Sequence, residues 1–459
     1  MEHGKMHPVD VDAMERNVRT FLPGVIGDLK ELIAVPSVAF PGYPSEPVHR
    51  MAAATADLLR RYGLSNARLL EIPEGYPAVT GDIPAPPGAP TVLFYAHYDV
   101  QPARREDGWE TDPWTAVIRD GRLYGRGAAD NKSGIATIAA TIRALSGRYP
   151  VGITVIIEGE EETASHLGAF AEAHPELFLC DLFIITDMGK MVAGEPVLST
   201  TLRGEVSCVV TVRTLDHAVH SGEFGGPAPD ALVALIRMLA TLHDEHGDVA
   251  IAGLHSYPWS GAEFSEDLYR RLSGLIDGVD TIGTGTISSR LWSRPSVTVI
   301  GIDAPAVRDA SNILIPQARA RISLRIAPGA DPQHELRLLA DHLQAHAPWN
   351  VKVEFSEFHA SSGFICPTGG QGYEAARKVM EAVYRRPVQE TGGGGSIPLL
   401  DVLKRVVPGA EFILWGCEDN ERSRIHGANE SVDLGELERM IVTQALLLQE
   451  LGNRSIPPG

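Results

Sequence analysis

The 459-residue chain has only four cysteines. Cys180, Cys208, Cys366 and Cys417 lie far apart, and no Cys-x-x-Cys pair exists that would build a structural zinc knuckle or a redox dithiol. They read as reduced, mostly buried thiols. Positive charge is also scarce: 40 Lys+Arg face 59 Asp+Glu, a net charge of -19. With no basic run to offset it, that balance excludes phosphate-backbone binding and adhesion to anionic lipid, so neither nucleic acid nor membrane is an expected partner. No apolar run approaches the ~18 residues of a spanning helix. The first ten residues carry charges and a proline where a signal peptide needs an apolar stretch, so a cytoplasmic location is expected.

What remains is a composition of soluble globular type, 44% hydrophobic and 22% charged. At roughly 150 residues per domain the length predicts more than one core. Helical spacing from Val11 to Val35 and from Val48 to Tyr62 precedes apolar strand-like runs that alternate with helical stretches: Thr91 to Ala96, Lys132 to Leu145, Ile153 to Glu158, His166 to Glu172 and Leu182 to Thr186. That alternation predicts an α/β domain with a central sheet and covering helices. After Arg203 the pattern changes to strands at 205–213, 296–302, 318–326 and 350–355, with helices at 229–243 and 332–346, a compact α+β unit inserted into the first domain. The chain then returns through a helix at 372–384, a strand at 411–414 and a long helix at 434–451. The expected division is 1–202 with 359–459 for the first domain and 203–358 for the insert.

Chemistry gathers at the strand ends. Thr91-Val-Leu-Phe-Tyr-Ala closes on His97-Tyr-Asp99, and strand alternation turns His97 and Asp99 to one face at the sheet edge where open α/β sheets place ligands. A metal-bound imidazole usually hands its second nitrogen to an oxygen that orients it, although a His-x-Asp pair also serves as a plain hydrogen-bonded pair. Asp130 follows the Gly125-Arg-Gly-Ala-Ala turn just before a helix, where it suits either a ligand or a helix cap. Glu158-Gly-Glu160-Glu161-Glu162 sets four carboxylates at the end of an apolar strand; it is either a solvated acidic loop or a site whose repulsion a divalent cation relieves. Asp187 ends the next strand, and His426 lies in Arg424-Ile-His426-Gly-Ala-Asn429-Glu430. Together His97, Asp130, Glu162, Asp187 and His426 form a donor set suited to two divalent ions, with one carboxylate shared.

These motifs, with His220-Ser-Gly222 and Gly395-Ser396-Ile-Pro398, resemble the dinuclear zinc peptidases of the M20 type, closest to their cytosolic dipeptidase and carnosinase-like branch. The resemblance spans nearly the whole chain. It implies a mixed-sheet catalytic domain carrying an inserted α+β lid and dimerisation domain, and a homodimer formed through that insert. It further implies two divalent ions per subunit, zinc or else manganese or cobalt, bridged by Asp130, with His97 and Asp187 on one and Glu162 and His426 on the other. Glu161 would be the general base, with Asp99 orienting the site and a cis peptide after Asp130. His220 of a partner subunit would donate to the oxyanion. Arg325 would grip a terminal carboxylate, and Asn312 and Ser396 would touch substrate. The expected reaction is hydrolysis of dipeptides or short peptides with a free C-terminus. Deacylation of N-acyl or N-carbamoyl amino acids at the same site is the alternative, and an inactive metal-binding scaffold is the reading from another class. One departure stands out: Gly392 and Gly393 occupy positions where many relatives carry a charged residue.

Overall fold

The computed structural model describes residues 10–395 and 397–453, and it divides into two compact units. Of these residues, the first unit comprises 10–200, 366–391 and 402–453, and the second 201–365, 392–395 and 397–401.

A six-stranded sheet runs through the first unit in the order Arg68–Leu70, Ala78–Ile83, Gly152–Glu158, Thr91–His97, Leu182–Ile185, Glu411–Leu414. The first two pairings are antiparallel and the remaining three parallel, so the sheet is mixed. Val92 to His97 are all buried, as expected of a strand covered on both faces. The helix Lys132–Ala144 owes its central place to small side chains: of its residues only Arg143 escapes full burial. It packs with Val11–Ile33 and Leu434–Gly452 in one apolar core. The parallel register sets His97 opposite Glu158 and Tyr95 opposite Ile185, so Asp187 emerges one pleat beyond, level with His97. Three polar strand ends therefore meet at one edge.

Antiparallel pairing builds the second unit's four-stranded sheet, ordered Ser296–Asp303, Gln317–Ile326, Gly204–Arg213, Lys352–Ser361. Along Gln317–Ile326 the residues Ala318, Ala320, Ile322, Leu324 and Ile326 face a core shared with the helices Ala231–Leu239 and Pro332–Ala345, while Arg319, Arg321 and Arg325 alternate with them. Asp230 and Asp331 cap those helices, accepting from Val233 N at 3.0 Å and Gln333 N at 3.0 Å. All four cysteines are free. Among the described residues no helix is long and apolar enough to cross a membrane.

Candidate metal centre and active site

His97 is fully buried at its strand end. Its Nδ1 lies 3.1 Å from the Asp99 carbonyl oxygen. A carbonyl only accepts, so Nδ1 carries the proton and Nε2 is left as the ligating atom. That Nε2 faces Asp130 Oδ1 at 3.0 Å and Asp187 Oδ1 at 3.4 Å. On the other side of Asp130, Oδ2 lies 3.1 Å from His426 Nε2, which is also 3.2 Å from Glu162 Oε2. Two clusters result, His97 with Asp130 and Asp187, and Asp130 with Glu162 and His426, the donor atoms of each lying within 4.8 Å of one another. Asp130 belongs to both.

Asp130 is not a helix cap: that position falls to Asn131, whose side chain donates to Asp187 Oδ1 and to the Thr186 carbonyl, both at 2.7 Å. The Asp130–Asn131 peptide is cis.

The electrostatics are those of a site built around positive charge. Burial raises the pKa of Glu161, Glu162 and Asp187, and the neighbouring carboxylates add to the rise although His97 opposes it. Burial also disfavours charge on Asp130, but His426 and His97 outweigh it and hold that carboxyl well below its usual range. His426 is pushed up to about 10, by its hydrogen bonds to Asp130 and Glu162 against partial burial. Protons on the two imidazoles stand where a hard or borderline divalent cation would take the same oxygens and both Nε2 atoms. Two imidazoles and three carboxylates suit that replacement, so the residues fit metal.

Of the four clustered carboxylates only two belong here. Glu158 accepts from Tyr95 Oη at 2.7 Å and from the Ser165 hydroxyl, and burial raises its pKa to about 7. Glu160 pairs with His166 at 2.9 Å. Asp99 holds the turn that carries the other two, its Oδ1 accepting from Glu161 N at 3.1 Å and its Oδ2 from Glu162 N at 3.0 Å.

Sequence reading missed the groups that support the ligands. Gln101 donates to Glu162 Oε2 at 2.7 Å. Glu430, wholly buried, accepts the backbone N–H groups of Gly127, Ala129 and Asp130 at 3.0, 2.9 and 3.0 Å, and the Arg126 guanidinium at 2.6 Å. Its only sequence signal is an acid just beyond His426.

Of the remaining expected residues, His220, Asn312 and Arg325 belong to the second unit. His220 Nδ1 accepts from Gly222 N at 3.0 Å, which leaves its proton on Nε2, and Asn312 O accepts from Ser221 N beside it at 2.9 Å. Arg325 pairs with Glu205 at 3.2 Å. Ser396 lies outside the described residues.

A mixed sheet with a carboxylate shared between two metal-suited clusters defines a metallohydrolase centre, and comparison with known proteins agrees. Residues 93–450 match peptidase family M20/M25/M40, so the chain belongs to that family and is a hydrolase of peptide bonds. It is 37% identical over 372 residues to the cysteinylglycine-S-conjugate dipeptidase of Corynebacterium striatum, covering 79% of this chain and 82% of that one. It is 27% identical over 439 residues to the beta-Ala-His dipeptidase of Rattus norvegicus, covering 88% of each. The solved structure of the dipeptidase Dug1p from Saccharomyces cerevisiae, at 22% identity, superposes with a TM-score of 0.82 over 98% of this chain and 100% of that one, which establishes the fold.

Proposed function

We propose that the chain is a dipeptidase, cleaving the amide bond of dipeptides or short peptides that carry a free C-terminal carboxylate. The observation that carries this reading is the pair of clusters sharing Asp130. The dipeptidase names of its relatives support it. His97, Asp130 and Asp187 would hold one divalent ion and Asp130, Glu162 and His426 a second, zinc being the expected metal with manganese or cobalt also suited. Bound there, such ions lower the pKa of water and polarise a carbonyl oxygen.

The chain's own groups supply the rest. Glu161 stands in the turn held by Asp99, next to ligand Glu162. As general base it removes a proton from the attacking water and returns it to the leaving amine; burial keeps its carboxylate basic enough for both transfers. His220 carries its proton on Nε2 and so serves as the donor to the oxyanion that develops on the substrate carbonyl, delivered within a homodimer formed through the inserted domain. Arg325, on an inner strand of the second unit's sheet, receives the terminal carboxylate, with Asn312 and Ser396 as polar contacts. The first unit is thus the catalytic domain and the insert the lid.

Zinc-loaded protein assayed against a dipeptide panel and against the same peptides as C-terminal amides tests this. Hydrolysis of the free acids with weak or no cleavage of the amides is expected. Cleavage of N-acylated amino acids with none of free dipeptides would instead make the chain a deacylase.

A further inference from the structure

The second unit holds a partly open cavity of about 480 Å³, a size typical of small-molecule sites. Leu275, Val279, Ile287 and Leu291 give it an apolar wall, and three arginines line it. Two of these are already satisfied. Arg294 pairs with Asp248 at 3.1 Å, and Arg290 donates to the carbonyls of Ile282 and Gly283 at 2.7 and 3.2 Å.

Arg203 is different. It is 8% exposed, its Nη1 donates to Ser296 Oγ at 3.0 Å, and its Nε is buried with no partner. Among the described residues no carboxylate pairs with it. Burial and the nearby Arg325 charge lower its pKa to about 10, so it remains a cation at neutral pH. A desolvated, unneutralised guanidinium is costly to keep. The adjacent chain offers no relief: the Arg203 amide donates to Gly393 O at 3.2 Å, and residues 392–395 are all glycine. Even a Cβ built on Gly394 would lie 3.8 Å from Arg203 Nη2, so an acidic side chain in this turn would be within reach of the charge.

We propose that this cavity binds a small monocarboxylate with an apolar body, its carboxylate on Arg203 and its body against the Leu275, Val279, Ile287 and Leu291 wall. The lining sets Arg203, Arg290 and Arg294 against Asp248 and Asp280, so its net charge is that of one cation; that calls for a single negative charge, and the planar fork of the buried Arg203 guanidinium matches a carboxylate. Asp248 and Asp280 also line the cavity, and they disfavour a doubly charged phosphate.

The test titrates zinc-loaded full-length protein with phenylacetate and, separately, with phenylacetamide, following the Ile, Leu and Val methyl groups by NMR. Phenylacetate should shift the methyls of Leu275, Val279, Ile287 and Leu291 saturably, with the amide at least about tenfold weaker because it lacks the charge. Arg203→Met should weaken phenylacetate to the level of the amide. Val279→Trp, which fills the cavity from a partly exposed position and leaves Arg203 in place, should abolish the shifts. Equal binding of acid and amide, undiminished binding by Arg203→Met, or shifts confined to the Ile184 and Ile185 methyls near the metal clusters would each overturn the proposal.

Discussion

Glu430 Oε1 accepts the backbone N–H of Asp130 at 3.0 Å, across 300 residues of sequence. The carboxylate that joins the two metal-suited clusters is therefore positioned by another carboxylate that touches neither. Glu430 neutralises Arg126 and gathers the backbone donors of Gly127, Ala129 and Asp130, so the loop presenting Asp130 is held from beneath.

Glu430→Gln replaces one accepting oxygen with a donor and removes the counter-charge of the buried Arg126. Metal affinity should fall about 10- to 100-fold, as for the loss of other groups that orient ligands. A competitive chelator titration measures this. Unchanged affinity would mean that the Asp130 loop holds its shape alone.

Arg325→Met removes the proposed carboxylate grip. KM for a dipeptide should rise about ten- to a hundredfold, the equivalent of the ~1.5–3 kcal/mol of a hydrogen bond to a charged group. The C-terminal amide of the same peptide should be affected little. Steady-state kinetics on the pair separates a carboxylate contact from a general loss of fold, which would depress both. Because Glu205 already pairs with Arg325, Glu205→Gln should act in the opposite direction and lower KM for the free acid.

A third prediction concerns stability. In the first unit the buried Glu436 carboxylate meets Lys190 and the Tyr384 hydroxyl, accepts from Gly194 N at 2.8 Å and pairs with Arg439 at 3.1 Å. Burial alone would raise its pKa, but Lys190 and Arg439 outweigh it and hold the carboxyl below its ordinary 4.5. A carboxyl depressed in the folded state stabilises the fold above the unfolded pKa and loses that contribution as pH falls through the folded value. Glu436→Gln should cost about 3–5 kcal/mol at neutral pH, the usual result of breaking a buried pair. The difference from wild type should narrow as pH drops below about 4. Urea unfolding at fixed metal loading across that interval checks the sign.

The six-stranded sheet was legible where apolar runs stop abruptly. Ile153 to Glu158 and Glu411 to Leu414 correspond to observed strands at 152–158 and 411–414, because β-branched and aromatic runs buried on both faces have few alternatives. The strand Ala78–Ile83 escaped notice because Gly81 and Asp82 interrupt its pattern; it pairs antiparallel beside the parallel strands. Lys352–Ser361 runs past the expected end at Phe355, since Glu357, at φ 51°, sits where the register with Gly204–Arg213 slips and masks the alternation. The two clusters that share Asp130 could be read because charges at strand ends have little structural use. Glu430 could not, because it acts on backbone amides far away in sequence, and Asp130 stayed ambiguous until Asn131 was seen to take the cap position.

The central claim is that Glu161 moves protons at a centre that the other carboxylates build. The most direct test is Glu161→Gln, assayed for bound metal and for turnover on the same sample. The account predicts full metal content with kcat reduced by at least about 10²- to 10⁴-fold, the range for loss of a general base. An active Glu161→Gln enzyme, or one that loses its metal, would contradict it.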